Sequence, residues 1–307
     1  MGIVVIGSTF VDVKGYPFGQ YVPDGRNPGR VEHVHGGVAR HVVENIANLE
    51  LRPSFVSLVD DNGAGLDVIN KLNRHKVDTT YVKQTPDGMG MWLAIFDNSG
   101  DLAGSISKRP VLQPLHDILL EHGDEIISNC DSVALELDLE HDVVKETFRL
   151  THKYNKPIFA VISNMDIAME RRDFFQELDY FVCNQLESGI LFVKDMNDYT
   201  PDQLLAELPG LAKAAGIKNL IVTMGAQGAV YYSEDGESGI APAHKVNVID
   251  TTGAGDAFFS GITVGRTYGK TLKESCEIGA RLSASVICTT ENVCPRFRPE
   301  EFGITLN

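Results

Sequence analysis

The chain has 307 residues, of which 43% are apolar, enough material for one or two folded units with a sizeable core. Its 27 Lys and Arg against 42 Asp and Glu leave a formal charge of −15, which argues against a nucleic-acid polymer as partner, because phosphate binding at scale needs clustered cations. Five cysteines without a C-x-x-C pair suggest neither a disulfide framework nor a zinc site, and with no basic leader or long apolar run the expectation is no membrane and a cytoplasmic location.

Short β-branched runs alternate with stretches of helical period. Strands are predicted at Ile3–Gly7, Ser54–Val59, Ser132–Leu137, Pro157–Ile162, Tyr180–Cys183 and Asn219–Thr223. Helices are predicted at Val38–Leu51, Gly65–His75, Asp142–Tyr154 and Pro201–Ala215. In the first helix Val38, Val42, Ile46 and Leu49 share one face. This alternation predicts an α/β fold, a mainly parallel sheet flanked by helices.

Two stretches break the series. Residues 14–35 carry strand-like pieces at Gln20–Val22 and Arg30–His35, and residues 88–107 read as two strands, Gly90–Phe96 and Leu102–Ser107, around a turn. Lacking helices between their strands, they are expected to pair as a small inserted β-sheet lid. The main domain then comprises residues 1–13, 36–87 and 108–307.

The residues that could carry chemistry follow in chain order. Asp12 lies just after the first predicted strand, where a carboxylate can accept from vicinal hydroxyls. Gly36-Gly37 precedes the first helix, as a hinge or as a place of close backbone approach. Asn184 and Glu187 open a helix three residues apart, a spacing that suits either an oxygen pair near Mg²⁺ or a helix capping box. Thr223, Gly225 and Gly228 form a tight turn at a strand's carboxyl end, where ligands bind in open α/β sheets, although a plain strand connection reads the same way. Finally, Asp250-Thr251-Thr252-Gly253-Ala254-Gly255-Asp256 ends a β-like run and starts an apolar helix near Gly255. Small residues at a helix start expose N–H groups to an anion, and a first-turn carboxylate beside them could accept a hydroxyl proton, though such an Asp also serves simply to stabilise a helix start.

Taken in this order, Gly36-Gly37, Asn184-x-x-Glu187, Val222-Thr223-x-Gly225-x-x-Gly228 and Asp250 to Asp256 resemble the ribokinase-like, or PfkB-type, carbohydrate kinase family from Gly7 to Cys294. The resemblance implies an ATP-dependent kinase with Asp256 as catalytic base and Gly253, Ala254 and Gly255 as the anion hole. It implies Mg²⁺ served by Asn184 and Glu187 through water, and a nucleotide bordered by Thr223, Gly225 and Gly228. A small-molecule sugar or nucleoside would be held by Asp12, Gly37 and His41, and a homodimer could form through the lid. A monovalent cation such as K⁺ would find part of its site in Asp250 and Thr252.

Gly36-Gly37-Val38-Ala39-Arg40, with Asn27-Pro28-Gly29 before it and Glu44-Asn45-Ile46-Ala47 after it, is most similar to the pseudouridine kinases of the family, which phosphorylate a 5′-hydroxyl. Two departures keep other acceptors open. His41 stands where the family usually has Asn, and Lys108-Arg109 would suit a sugar phosphate or sugar acid unless it is merely a solvated pair. A further alternative is a sugar- or nucleoside-binding sensor without turnover.

Overall fold

The computed structural model describes residues 2–305. In chain order the elements are β1 (Ile3–Ile6), β2 (Phe10–Pro17), β3 (Gly29–Gly36), α1 (Val38–Asn48), β4 (Ser54–Asp60), α2 (Gly63–Arg74), β5 (Val82–Thr85), β6 (Gly90–Phe96) and β7 (Leu102–Lys108). They continue with α3 (Gln113–Ser128), β8 (Ser132–Glu136), α4 (His141–Tyr154), β9 (Ile158–Val161), α5 (Met165–Met169), β10 (Tyr180–Asn184) and α6 (Gln185–Phe192). The last third holds α7 (Pro201–Ala215), β11 (Asn219–Thr223), β12 (Ala229–Ser233), β13 (Ser238–Ala241), α8 (Ala254–Thr267) and α9 (Leu272–Ile287).

The large sheet runs β13-β12-β11-β10-β9-β8-β1-β4-β5. All its pairings are parallel except β11 with β12 and β12 with β13. Its strands are apolar on both faces because helices cover both, as a parallel sheet requires. Alternate residues of β1 show the consequence: Val4 and Ile6 join the core beneath α3, α4 and α7, whereas Ile3 and Val5 join the core beneath α1, α2, α8 and α9. Strand order reverses at β1, which pairs with β4 on one side and β8 on the other. The carboxyl ends of β1 and β8 therefore diverge into connections of opposite direction, the place where an open α/β sheet forms its ligand crevice.

Helices α1 and α8 lie against each other on one face. Ten of the eleven residues of α1 are buried, and α8 is buried from Ala257 to Gly265. Close approach fixes α8 to α9, since a Cβ on Gly261 would sit 2.4 Å from the Gly279 backbone. The start of α8 is thus held by packing along its length.

The second sheet is ordered β3-β2-β6-β7, with β2 antiparallel to β3 and parallel to β6. Gln20–Val22, expected as a strand, is an irregular segment instead. Pro23 and Pro28 interrupt any ladder there, and Asn27 satisfies the backbone: its Oδ1 accepts from the Val22 N–H at 2.8 Å and its Nδ2 donates to Val22 O. Asp12 falls inside β2, opposite Val34 and Trp92, so it belongs to the small sheet itself and not to a loop after β1. No helix among the described residues is long and apolar enough to cross a membrane.

Candidate active site

The candidate residues gather along the carboxyl edge of the large sheet. Asn184 ends β10, Thr223 ends β11, and Glu136 ends β8. Facing them is the start of α8, capped by Gly253 in the left-handed region at φ 80°. Only glycine fits that cap, because a Cβ would lie 2.1 Å from Asn292 O. The Ala254 N–H donates to Thr251 O and the Ala257 N–H to Gly253 O. By helix geometry the N–H groups of Gly255 and Asp256 between them have no carbonyl one turn back, so they are available to an anion. The Thr252 N–H donates to Asp250 Oδ1 at 2.8 Å. Burial raises the Asp250 pKa, but that hydrogen bond and the charge of Lys14 outweigh it and hold the carboxyl below its usual range.

Asp256 projects from this first turn with 15% of its side chain exposed, and its Oδ2 lies 2.7 Å from His41 Nδ1. His41 comes from α1 and is itself buried. Burial, then the neighbouring Arg40, depress its pKa, although the Asp256 carboxylate pulls the other way. A neutral imidazole with Nδ1–H directed to Asp256 leaves Nε2 as a lone-pair acceptor. That Nε2 is buried and has no hydrogen-bond partner. Arg40, fully buried, donates from Nη1 to Glu44 at 2.9 Å and from Nε to Gly36 O at 3.2 Å, and it also reaches His35 O. One side chain thus ties α1 to the returning end of β3.

Gly37 allows α1 to begin close to β1 and β2: at φ 97° a Cβ would lie 2.9 Å from Ser8 O. Asp12 leans over Gly36, whose added Cβ would meet Asp12 Oδ1 at 2.5 Å. Burial raises the Asp12 pKa, partly offset by Lys14, His41 and Arg40. Asp12 thus lies within electrostatic reach of His41, which in turn touches Asp256 at the start of α8.

Asn184 and Glu187 adopt the capping-box arrangement: the Asn184 N–H donates to Glu187 Oε2 at 2.7 Å and the Glu187 N–H to Asn184 Oδ1 at 2.9 Å. Burial raises the Glu187 pKa, and the charges of Asp138 and Asp256 add to the effect. Glu187 thus shares the negative field of the crevice even while it caps α6. No group of three or more His, Cys, Asp or Glu among the described residues is arranged to hold a metal directly. Thr223 Oγ1 donates to Cys183 O at 3.4 Å. Gly225 and Gly228 both have positive φ, and a Cβ on Gly228 would lie 2.1 Å from Ala241 O, so glycine is required at position 228, whereas Gly225 faces open space.

Two carboxylates absent from the expected set also sit here. Glu136 Oε2 accepts from both the N–H and Oγ of Ser8 at 2.8 Å, and Asp138 accepts from the Ser163 N–H at 2.9 Å and from its Oγ at 2.7 Å. Complete burial, with the Asp138 charge added, pushes Glu136 up to about 8. The signal was Glu136-Leu137-Asp138 itself: two acids closing an apolar strand at its carboxyl end. Lys108 and Arg109, a candidate anion contact, are engaged by acids of the chain. Lys108 ion-pairs with Asp87, and Arg109 donates to Asp138 O at 2.8 Å and lies 3.7 Å from its carboxylate. A cavity of about 350 Å³ lined by Arg52, Asp78, Tyr81 and Glu125 opens at the amino ends of β1 and β4, away from every candidate residue.

A reversing parallel sheet, a small second sheet carrying an acid, and a glycine-capped helix start bearing another are the parts that the resemblance to the carbohydrate kinases implies. The chain belongs to the pfkB family carbohydrate kinases, phosphotransferases with an alcohol group as acceptor, and matches the family over residues 2–295. It is 35% identical over 292 residues to guanosine-inosine kinase of Exiguobacterium acetylicum, covering 94% of this chain and 95% of that one. It is 25% identical over 262 residues to pseudouridine kinase of Escherichia coli strain K12, covering 85% and 82%. Its fold superimposes on Arabidopsis thaliana ribokinase complexed with ribose and ATP with a TM-score of 0.87, at 18% identity and 98% coverage of both chains.

Proposed function

We propose that the chain transfers the γ-phosphoryl group of ATP to the 5′-hydroxyl of a ribonucleoside. The similarity to a guanosine-inosine kinase over nearly the whole chain favours a purine nucleoside. The observation that carries the chemistry is the Asp256–His41 pair at the start of α8. With Oδ2 taken by His41, Asp256 keeps Oδ1 to accept the proton of the attacking hydroxyl. As that oxygen bonds to the γ-phosphorus and the bond to the ADP oxygen breaks, the Gly255 and Asp256 N–H groups, with Gly253 and Ala254 shaping the turn, hold the charge on the transferring group. Asp12 accepts from vicinal ribose hydroxyls and Gly37 lets the sugar approach the backbone. The small sheet, residues 14–35 and 88–107 with the start of β2, acts as a lid that excludes water.

The Thr223, Gly225 and Gly228 turn would border the nucleotide. Glu187, kept in a negative field, and Asn184 fit Mg²⁺ held through water and phosphate oxygens, the mode this ion prefers; it would supply charge neutralisation on the phosphates. Asp250, held ionised, and Thr252 fit one side of a K⁺ site. The exposed Val31, Leu93, Ile95 and Ile106 share the lid's other face and favour a homodimer through it, which sedimentation of the chain at varied concentration tests. A cytoplasmic location suits a kinase of free nucleosides.

Pseudouridine is a second reading, favoured by the Gly36 to Arg40 segment and the E. coli relative. Internal pairing of Lys108 and Arg109 removes the motive for an anionic acceptor. ADP release measured with inosine, guanosine, pseudouridine, ribose and sugar phosphates tests the proposal. Turnover of inosine that falls by about 10²–10⁴ in Asp256→Asn, with the thermal midpoint retained, supports it. Turnover of phosphorylated or base-free sugars alone refutes it.

A further inference from the structure

The face of the small sheet that bears Asp12 carries a row of aromatic side chains that the phosphoryl-transfer chemistry does not use. Side chains alternate along strands, so Phe10, Asp12, Lys14 and Tyr16 of β2 share a face, and directly paired residues of β6 join them. Trp92 pairs directly with Asp12. Tyr16 stacks on Phe96 with ring centres 5.0 Å apart and planes within 10°. Phe96 meets Trp92 edge-on at 6.4 Å and 85°, and the Arg30 guanidinium caps the row 4.7 Å from the Tyr16 ring centre. Because the Phe96–Trp92 contact is edge-on, at least one face of the indole has no aromatic partner among the described residues. Trp92, Phe96 and Tyr16 are all partly exposed.

This face is turned toward the crevice. Asp12 feels the charges of His41 and Arg40 from α1, and Tyr16 and Lys14 interact with Asp250, which precedes the anion-binding turn. Neighbouring strands lie about 4.8 Å apart, the scale that separates the 2′-hydroxyl of a nucleoside from the ring of its base. Asp12 is flanked on this face by Val34 of β3 and Trp92 of β6, and of these two neighbours only Trp92 offers a base attached at C1′ an aromatic ring to stack on. A base-free sugar would leave that indole uncovered.

From this juxtaposition we infer that Trp92 is the base-stacking residue of the acceptor site, with Phe96 and Tyr16 as its buttress, and that the site takes a planar nucleobase. The inference rests on the nucleoside-kinase reading above and names the group that distinguishes a nucleoside from a free sugar. Stacking on an aromatic side chain tolerates any base and scales with overlap, so the larger purine gains more than a pyrimidine.

Trp92 is the only tryptophan in the chain, so its emission reports on this position alone. The experiment titrates the wild-type protein with inosine and with ribose while following that emission, and compares KM for both acceptors in wild type, Trp92→Leu and Trp92→Phe. Inosine is expected to quench or shift the emission and ribose to leave it unmoved. The ratio of inosine KM to ribose KM should rise roughly 10- to 100-fold in Trp92→Leu and be largely restored in Trp92→Phe. A purely structural role would move both KM values together and lower the thermal midpoint. Inosine turnover with an unchanged ratio and unmoved emission overturns the platform while leaving the nucleoside-kinase reading in place. Turnover of ribose with no nucleoside accepted overturns both. If Trp92→Leu fails to fold, the wild-type emission and the Trp92→Phe ratio decide the matter.

Discussion

Replacing His41 with alanine removes the partner of Asp256 without touching the carboxylate itself. His41 contributes one hydrogen bond of 2.7 Å to Asp256 Oδ2 and one buried Nε2 with no partner in the chain. A hydrogen bond to a charged group is worth about 1.5–3 kcal/mol. If it serves to aim Asp256 Oδ1 at the hydroxyl, its loss appears in kcat as a fall of about 10- to 100-fold. Losing the Nε2 acceptor appears separately, as a higher KM for the nucleoside. Acidification gives the second signature. Arg40, Glu44, Asp12 and Asp256 face the imidazole, and with burial in the lead the balance depresses its pKa. It is neutral at pH 7 and protonates only below the ordinary histidine value of about 6.5. Once protonated, Nε2 becomes a donor and can no longer accept, so wild-type kcat/KM should acquire an acid limb below that pH. His41→Asn, which cannot titrate, should lose the imidazole's part of that limb and hold its kcat/KM to lower pH than wild type. The assay is ADP release against pH for wild type, His41→Ala and His41→Asn, each checked by thermal unfolding. A kcat in His41→Ala within about threefold of wild type, or an acid limb in His41→Asn that coincides with that of wild type, refutes the reasoning.

Gly253→Ala should destabilise the fold by about 1–3 kcal/mol and abolish most turnover, because the new Cβ meets Asn292 O at 2.1 Å and the residue must hold φ 80°. An unchanged melting temperature would contradict the tight fit of that turn. Glu136→Gln tests the buried acid at the β8 edge. A folded carboxyl pushed up to about 8 favours its protonated form, so its stabilising contribution is complete at low pH and is lost as pH rises toward that value. Glutamine is neutral throughout, so the variant should gain stability over wild type on going from about pH 5 to 8, by an amount on the order of a few kcal/mol. Parallel unfolding curves for the two proteins across that range would rule the shift out.

The architecture was legible because it rests on local periodicity. The strands Ser54–Val59 and Asn219–Thr223 and the helix Pro201–Ala215 announce themselves through β-branched runs and helical spacing, and all appear within a residue or two. Gly253 and Gly37 were legible for the same kind of reason: each occupies backbone geometry that other residues avoid, and glycine in such a context stands out in a sequence. Gln20–Val22 failed because a three-residue run carries too little pattern to outweigh the prolines and Asn27 around it. The Asn184 and Glu187 spacing could not separate a capping box from a metal contact, since both uses need the same two oxygens on one helical turn. The structure shows the cap made.

By itself the sequence determined the α/β class, the second sheet, and the acid at the start of α8, because each follows from residues close together along the chain. Only the tertiary structure decided what that acid touches. His41 and Asp256 are 215 positions apart, and Trp92 meets Asp12 through strand pairing over 80 positions. Contacts across such separations depend on how whole elements pack, as α1 does on α8 and β6 on β2. Nothing in the local sequence at position 41 reports that a helix start from the far end of the chain will stand 2.7 Å away.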